Sequence, residues 1–140
     1  NNNEGYITLT FELDGNHAYE PPFKQKYTVQ SSMTFTITLN DNVSEYYYPD
    51  IEFSVTSSSF SIENTTLEET MSFSNLDSTC KKGIVYGEGI MTMISTTDNT
   101  VNMREKSNRV FLRLKHGDNI IKITGNGTFT FNMQPKISLR

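Results

Sequence analysis

Cysteine is nearly absent from this sequence of 140 residues, which contains only Cys80. A single cysteine cannot form a disulfide within the chain, so the disulfide-rich scaffolds of small secreted domains are excluded. Zinc and iron–sulfur sites need several cysteine or histidine ligands, and the two histidines are His17 and His116. We therefore predict no metal site and no cofactor.

Long apolar runs and a basic surface are missing as well. No run approaches the roughly eighteen apolar residues that cross a bilayer. The segment Asn1–Glu4 has neither the basic region nor the apolar region of a signal peptide. Twelve Lys and Arg residues stand against sixteen Asp and Glu residues, for a formal net charge of -4, and the basic residues are scattered. This balance predicts no nucleic-acid partner and no membrane insertion.

Charged residues make up only 20% of the chain, while Ser, Thr and Asn fill about a third of it. Such a composition is poor in strong helix formers. Apolar and polar residues instead alternate with period two, which is typical of strands that are buried on one face. The alternation covers Ile7–Leu13, Met33–Leu39, Ile51–Val55, Phe60–Ile62 and Met71–Phe73. We predict one all-β domain over residues 1–140, an antiparallel β-sandwich of the galectin-like or jelly-roll-like kind.

The C-terminal third predicts two successive hairpins. Val110–Leu114 alternates up to a turn at His116–Asn119, after which Ile121 resumes the alternation. The pair Asn126-Gly127 favours the positive φ angles of a type I′ turn. That turn would join the strand that contains Ile121 to the strand around Phe129.

Three stretches interrupt the alternation. Asp14–Pro22 contains Asp-Gly-Asn and Pro-Pro and predicts a surface loop or a crossover. Glu63–Glu69 predicts either a short helical turn or a loop. The glycine cluster in Gly83–Gly89 has neither the spacing of a phosphate-binding loop nor that of a dinucleotide fingerprint, so it predicts a strand with bends or a bulge.

No pattern of residues indicates catalysis. His17 and His116 lie in predicted turns, where neither is paired with a nucleophile by a recognised motif. Cys80 precedes Lys81 and Lys82, whose charges could lower a thiol pKa, but one pair of basic neighbours is weak evidence and an incidental free thiol is the favoured interpretation. The sequence therefore predicts a protein without catalytic residues, and an enzyme acting on glycans is the weakest of its readings.

The run Tyr46-Tyr47-Tyr48 is the best candidate for a binding surface. In a strand Tyr46 and Tyr48 share one face and Tyr47 takes the other, so at least one phenol should be partly exposed. An exposed tyrosine could stack on a sugar ring or anchor a protein interface. The alternative is that Tyr46 and Tyr48 cover the core and place their hydroxyls at its rim.

The stretch Val110–Phe131, with a leucine strand, a glycine turn and a glycine hairpin, resembles the closing motif of distal tail proteins of long-tailed phages. Tyr48–Phe53 resembles the Tyr-Pro-x-Ile segment of that family, and Gly5–Phe11 resembles the strand that opens its second domain. In the family, a ring-forming domain precedes a galectin-like sandwich. The resemblance implies that this chain is the second domain of a longer tail or prophage protein.

The resemblance implies a non-enzymatic structural module at the tail tip or baseplate of a virion, made in the bacterial cytoplasm. Its partners would be tail-tube, tail-tip or receptor-binding proteins, and host cell-wall polysaccharide is a further candidate ligand. The isolated domain is expected to be a monomer. The alternative is a carbohydrate-binding module of a bacterial cell-surface protein, for which an exposed tyrosine among Tyr46–Tyr48 would be the contact.

Overall fold

The computed structural model describes residues 17–19, 23–40, 46–88, 90–134 and 136–138. The predicted strand Ile7–Leu13 lies outside these ranges. Within them, one short 3-10 helix spans Met103–Lys106. The strands are β1 His17–Tyr19, β2 Phe23–Val29, β3 Ser32–Leu39, β4 Asp50–Val55, β5 Phe60–Asn64, β6 Glu69–Phe73, β7 Lys82–Tyr86, β8 Thr92–Ser95, β9 Gly117–Thr124, β10 Gly127–Met133 and β11 Lys136–Ser138.

The described strands form two antiparallel sheets that pack face to face, which confirms the predicted sandwich. One sheet has the order β3-β9-β5-β6 and the other has the order β2-β10-β4-β7-β8. A separate two-stranded sheet joins β1 to β11. Because sequence neighbours such as β9 and β10 belong to different sheets, much of the pairing is between distant parts of the chain.

The alternation in the sequence decides which side chains enter the core. In β3, Ile37 and Leu39 are buried while Thr36 and Thr38 are exposed, and β9 repeats the pattern with Ile121 and Ile123 inside. Thr suits the outer positions because a β-branched hydroxyl side chain fits a pleated, solvated surface. A face rich in threonine therefore keeps the sandwich hydrated with few charges.

Aromatic side chains join the two sheets at the centre of the sandwich. Phe60 in one sheet contacts Phe53 and Phe129 in the other, with ring centroids 4.8 and 5.2 Å apart. Nearer one side of the sandwich, Tyr27 stacks on Phe35 at 3.7 Å. These pairs span the interior and hold the two sheets at a fixed separation.

The first predicted C-terminal hairpin is wrong. Val110–Leu114 forms no strand and only Leu114 makes a ladder-like bridge, to Tyr47. Gly117, Asp118 and Asn119, which were assigned to the turn, instead begin β9. The reason is that both edges of β9 are already taken by β3 and β5, so Val110–Leu114 has no edge to pair with. Leu112 and Leu114 are buried all the same.

The second predicted hairpin, at Asn126-Gly127, is also wrong. β9 ends at Thr124 and β10 begins at Gly127, but the two strands lie in different sheets, so Gly125 and Asn126 carry the chain across the sandwich. Gly125 has φ +141°, and a Cβ at Gly127 would collide with the backbone of Ser54. The glycines therefore serve a close crossing between sheets and not a two-residue turn.

The remaining interruptions divide between turns and strands. Residues 65–68 form the tight connection between β5 and β6 and contain no helix, because the Asn64 Oδ1 atom accepts hydrogen bonds from Thr66 N and Leu67 N. Within the predicted loop Asp14–Pro22, residues 17–19 are strand β1. The predicted strand in the glycine cluster is present as β7, which ends at Tyr86, before Gly87.

Two edges of the sandwich are covered by the segment around the 3-10 helix. Ser107 bridges Phe73 on β6, and Asn102 bridges Ile94 on β8. The Asn108 backbone and side chain both bond Ser72, which occupies the outer edge of β6. Covering an edge in this way prevents its pairing with another chain. None of the described helices is long or apolar enough to cross a membrane.

Candidate interaction surface

A shallow groove lies at the end of the sandwich where β4 and β6 begin and β7 ends. It has a volume of about 520 Å³, within the range of sites that hold small ligands. We call it the Arg113 groove. Its lining residues are Tyr48, Glu68, Glu69, Thr70, Met91, Arg109, Val110, Phe111 and Arg113.

The three tyrosines of the predicted binding surface take different places. Tyr46 is 44% exposed, Tyr47 is buried in the core, and Tyr48 is half-buried at the groove. Tyr46 and Tyr48 thus share a face as predicted, but Tyr47 and not its neighbours enters the core. The backbone N–H of Gln134 donates to the Tyr47 hydroxyl at 2.7 Å, which satisfies the one polar atom of this buried side chain.

Arg113 joins the exposed tyrosine to the groove. Its guanidinium carbon lies 3.9 Å from the centroid of the Tyr46 ring. The same guanidinium donates to Glu69 from two nitrogens, Nε at 2.9 Å and Nη2 at 2.6 Å. An arginine held by a carboxylate at its edge and an aromatic ring at its face has little freedom to move. Tyr46, Arg113 and Glu69 are therefore a fixed array, the Tyr46 stack.

The contacts of Arg113 affect its pKa. The hydrogen bonds from Arg113 to Glu69 raise the pKa of the arginine above its usual range, and the negative charge of Glu69 adds to that effect against partial desolvation. Arg113 side-chain exposure is 31% and that of Glu69 is 29%, so the pair is partly screened by solvent. Its main contribution is therefore geometric.

Residues 17–133 match the family model described as the phage tail C-terminal domain. The chain belongs to this family. No curated protein and no solved structure matches the chain. The match confirms the resemblance to a phage tail C-terminal domain, and it makes this protein a structural component of a virion tail.

In this phage tail domain, two buried asparagines hold the segment that carries Arg113. Asn119 accepts from Lys115 N at 2.9 Å and donates to Lys115 O at 2.9 Å. Asn119 also accepts from the Asn64 Nδ2 atom, which in turn donates to Arg113 O at 2.9 Å. Both asparagines are fully buried. The amides replace the strand partner that this segment lacks, since buried backbone groups must be hydrogen-bonded.

A bridge to Tyr47 completes the support of that segment. Tyr47 N donates to Leu114 O at 2.9 Å, and Leu114 N donates to Tyr47 O at 2.8 Å. These two bonds place the Tyr46–Tyr48 backbone beside the Arg113 backbone. Burial of Tyr47 and Leu114 therefore fixes Tyr46 and Arg113 on the outside, one residue away from each.

The opposite wall of the groove is the turn after β7. Glu88 accepts from Tyr48 N through its carboxylate at 3.0 Å, and its own N–H donates to Tyr48 O at 2.9 Å. Gly87 N donates to the Asp50 carboxylate at 2.7 Å. A Cβ at Gly87 would run into the Tyr48 carbonyl, so only glycine permits this approach. Met91, which follows this hydrogen-bonded turn, lines the groove.

Backbone strain concentrates around the groove. Glu68, Met91 and Arg109 all have positive φ, between 55° and 66°, and all three line the groove. Non-glycine residues adopt this conformation at a cost of about 1–3 kcal/mol each, and such residues cluster at functional sites. Contacts with the rest of the fold must therefore hold these three residues in their unfavourable conformations.

The other candidates for chemistry lie apart from this surface. Cys80 is fully buried, and its sulfur accepts from Asp77 N at 3.3 Å, so the thiol faces the protein interior. His116 lies just before β9 on the exposed side of the chain. In the part of the chain that the structure describes, no group of three or more His, Cys, Asp or Glu side chains could hold a metal ion.

Sequence reasoning missed most of the residues that build the groove. Arg113 and Glu69 are 44 positions apart and carry no shared motif, so only the fold brings them together. Asn119 was assigned to a turn because it follows Gly117 and Asp118. A usable signal existed in the buried alternation of Leu112 and Leu114, which places Arg113 outward whether or not the segment is a strand.

Proposed function

We propose that this phage tail domain is a non-enzymatic structural and interaction module at the tail tip or baseplate, where it links the tail tube to the host-adhesion apparatus. Its partners in this role are other tail proteins. The observation that carries the proposal is the family match over residues 17–133, which supports interaction within a tail assembly. Covered edges on β6 and β8 limit uncontrolled pairing with other chains, which suits a component of an ordered assembly.

The position in the virion is tested by electron microscopy of intact particles labelled with gold-conjugated antibodies against the 140-residue chain. We expect label at the end of the tail that is distal to the head. Label along the whole tube, or at the head, would contradict the tip position while leaving membership of the tail family untouched. Antibody that has been pre-absorbed with the purified 140-residue chain serves as the control for specificity.

A second role, carbohydrate contact, is favoured by one observation, the exposed ring of Tyr46. Arg113 lies over one face of the ring, and the residue as a whole is 44% exposed. A flat, partly exposed aromatic face is suited to the C–H face of a sugar as well as to an apolar protein side chain. The family match favours the tail module over a module of a bacterial cell-surface protein.

A further inference from the structure

We infer that the Arg113 groove, together with the Tyr46 stack, binds a neutral saccharide and not an anionic polymer. The inference rests on the proposed function, because a domain at the tail tip is placed where cell-wall polysaccharide is within reach. It adds the class of ligand, the residues that hold it and the reason that other ligands fit less well.

Several backbone groups around the groove are already hydrogen-bonded to the protein itself. Thr70 O accepts from the Asn108 amide at 2.9 Å, and Arg113 O accepts from the Asn64 amide at 2.9 Å. Both Tyr48 backbone groups are bound by Glu88. An extended peptide binds by adding main-chain hydrogen bonds to such groups. Since these groups are occupied, a ligand beside them is held through the neighbouring side chains.

The side chains that remain offer both donors and acceptors at short range. The bonds from Arg113 to Glu69 use Nε and Nη2, whereas a guanidinium carries five N–H donors. The Glu69 carboxylate has about four lone-pair sites. Sugar hydroxyls both donate and accept, so neighbouring hydroxyls on one ring can bond to Arg113 and Glu69 together. A ligand with only hydrogen-bond acceptors could bond to Arg113 but not to Glu69, and a ligand with only donors could bond to Glu69 but not to Arg113.

The charges at the groove cancel. Its lining contains Glu68, Glu69, Arg109 and Arg113, which sum to zero. Arg113 is bound to Glu69 at 2.6 Å, and Arg109 is bound to Glu105 at 3.1 Å. A phosphate or carboxylate ligand would have to compete with these acidic partners for each arginine. The groove therefore selects against anionic polymers, whereas an uncharged ligand can bind without breaking these ion pairs.

The apolar surfaces are arranged for the C–H faces of sugar rings. The Arg113 guanidinium packs against one face of the Tyr46 ring and restricts its motion. Binding of a ligand to the ring therefore costs little side-chain entropy. Inside the groove, Phe111, Val110 and Met91 provide an apolar lining beside the charged rim. A chain of sugars can thus stack on Tyr46 at one position and fill the groove at the next.

The test uses the 140-residue chain against an array of neutral hexose and N-acetylhexosamine oligosaccharides, with phosphorylated and sialylated oligosaccharides as charged comparators. Calorimetry then measures the affinity for each binder. We expect affinities between micromolar and millimolar for neutral oligosaccharides and weaker binding of the charged ones. Tyr46→Ala should weaken binding by about tenfold or more, and Tyr46→Phe should retain it within about threefold, because stacking needs only the ring.

Ile120→Ala is the matched control, since Ile120 is 45% exposed and lies on the outer face of β9. It should leave the affinity unchanged, and unaltered thermal unfolding of each variant shows that the fold is intact. No binding of any neutral oligosaccharide, or equal binding by Tyr46→Ala, overturns the inference. So does capture of a tail protein in intact virions by a photo-crosslinker placed at position 91. Gold label at the tip would preserve the proposed function in either case, and saccharide binding with label elsewhere would contradict only that function.

Discussion

Replacement of Asn119 by alanine should destabilise the domain strongly, although the sequence places the residue in a turn. The side chain is fully buried and bonds both backbone groups of Lys115. It also bonds Asn64, but that amide keeps its second partner, Arg113 O. Truncation therefore leaves the N–H and the C=O of Lys115 without these partners, and it also removes the longer bonds to Ile37 O and Gly117 O at 3.2 Å.

Each orphaned buried group costs about 1–3 kcal/mol, and Lys115 is half-buried, so water relieves part of that cost. We expect Asn119→Ala to lower the free energy of unfolding by about 3 kcal/mol, a large share of the roughly 5–15 kcal/mol of a typical domain. Equilibrium urea denaturation with two probes measures the change. Faster hydrogen exchange at the amides of Leu114 and Lys115 should accompany it.

The control is Asn99→Ala, at an exposed position, which should change the free energy by no more than about 0.5 kcal/mol. A loss below about 1 kcal/mol for Asn119→Ala would refute the reasoning, because it would mean that the Lys115 backbone finds other partners at no cost. Unchanged hydrogen exchange in this segment would lead to the same conclusion.

Two further predictions concern the groove wall and the sheet interface. Gly87→Ala should lower the free energy of unfolding, measured by urea denaturation, by about 1–3 kcal/mol, because the new Cβ would meet the Tyr48 carbonyl. Gly117→Ala is the comparison. Its Cβ would have no neighbour within 4 Å, so only the backbone strain at φ +92° should lower stability. Burial raises the pKa of Tyr27, so the unfolded chain loses this proton first and stability should fall as pH rises from about 10 through that raised pKa. Tyr27→Phe should flatten this alkaline fall, and an equally steep fall in the variant would show that other groups cause it.

The strands themselves were largely predictable, because side-chain alternation is a local property. Ile37 and Leu39 face the core in β3 for the same reason that Thr36 and Thr38 face water, and no partner strand has to be known. The pairing was not predictable in the same way. Asn126-Gly127 has the composition of a hairpin turn, yet the flanking strands gain better partners in opposite sheets.

The candidate site also has features that follow from local alternation and features that depend on long-range pairing. The sequence by itself determined that Tyr46 and Tyr48 share a face and that Arg113 points away from Leu112 and Leu114, since both follow from the period of an extended chain. Only the tertiary structure decided that Tyr47 is the buried member of the three. It also decided that Arg113 meets Tyr46 and Glu69, because these contacts join segments far apart in the chain. Their proximity depends on which sheet edges remain free once the core is closed, and no local pattern carries that information.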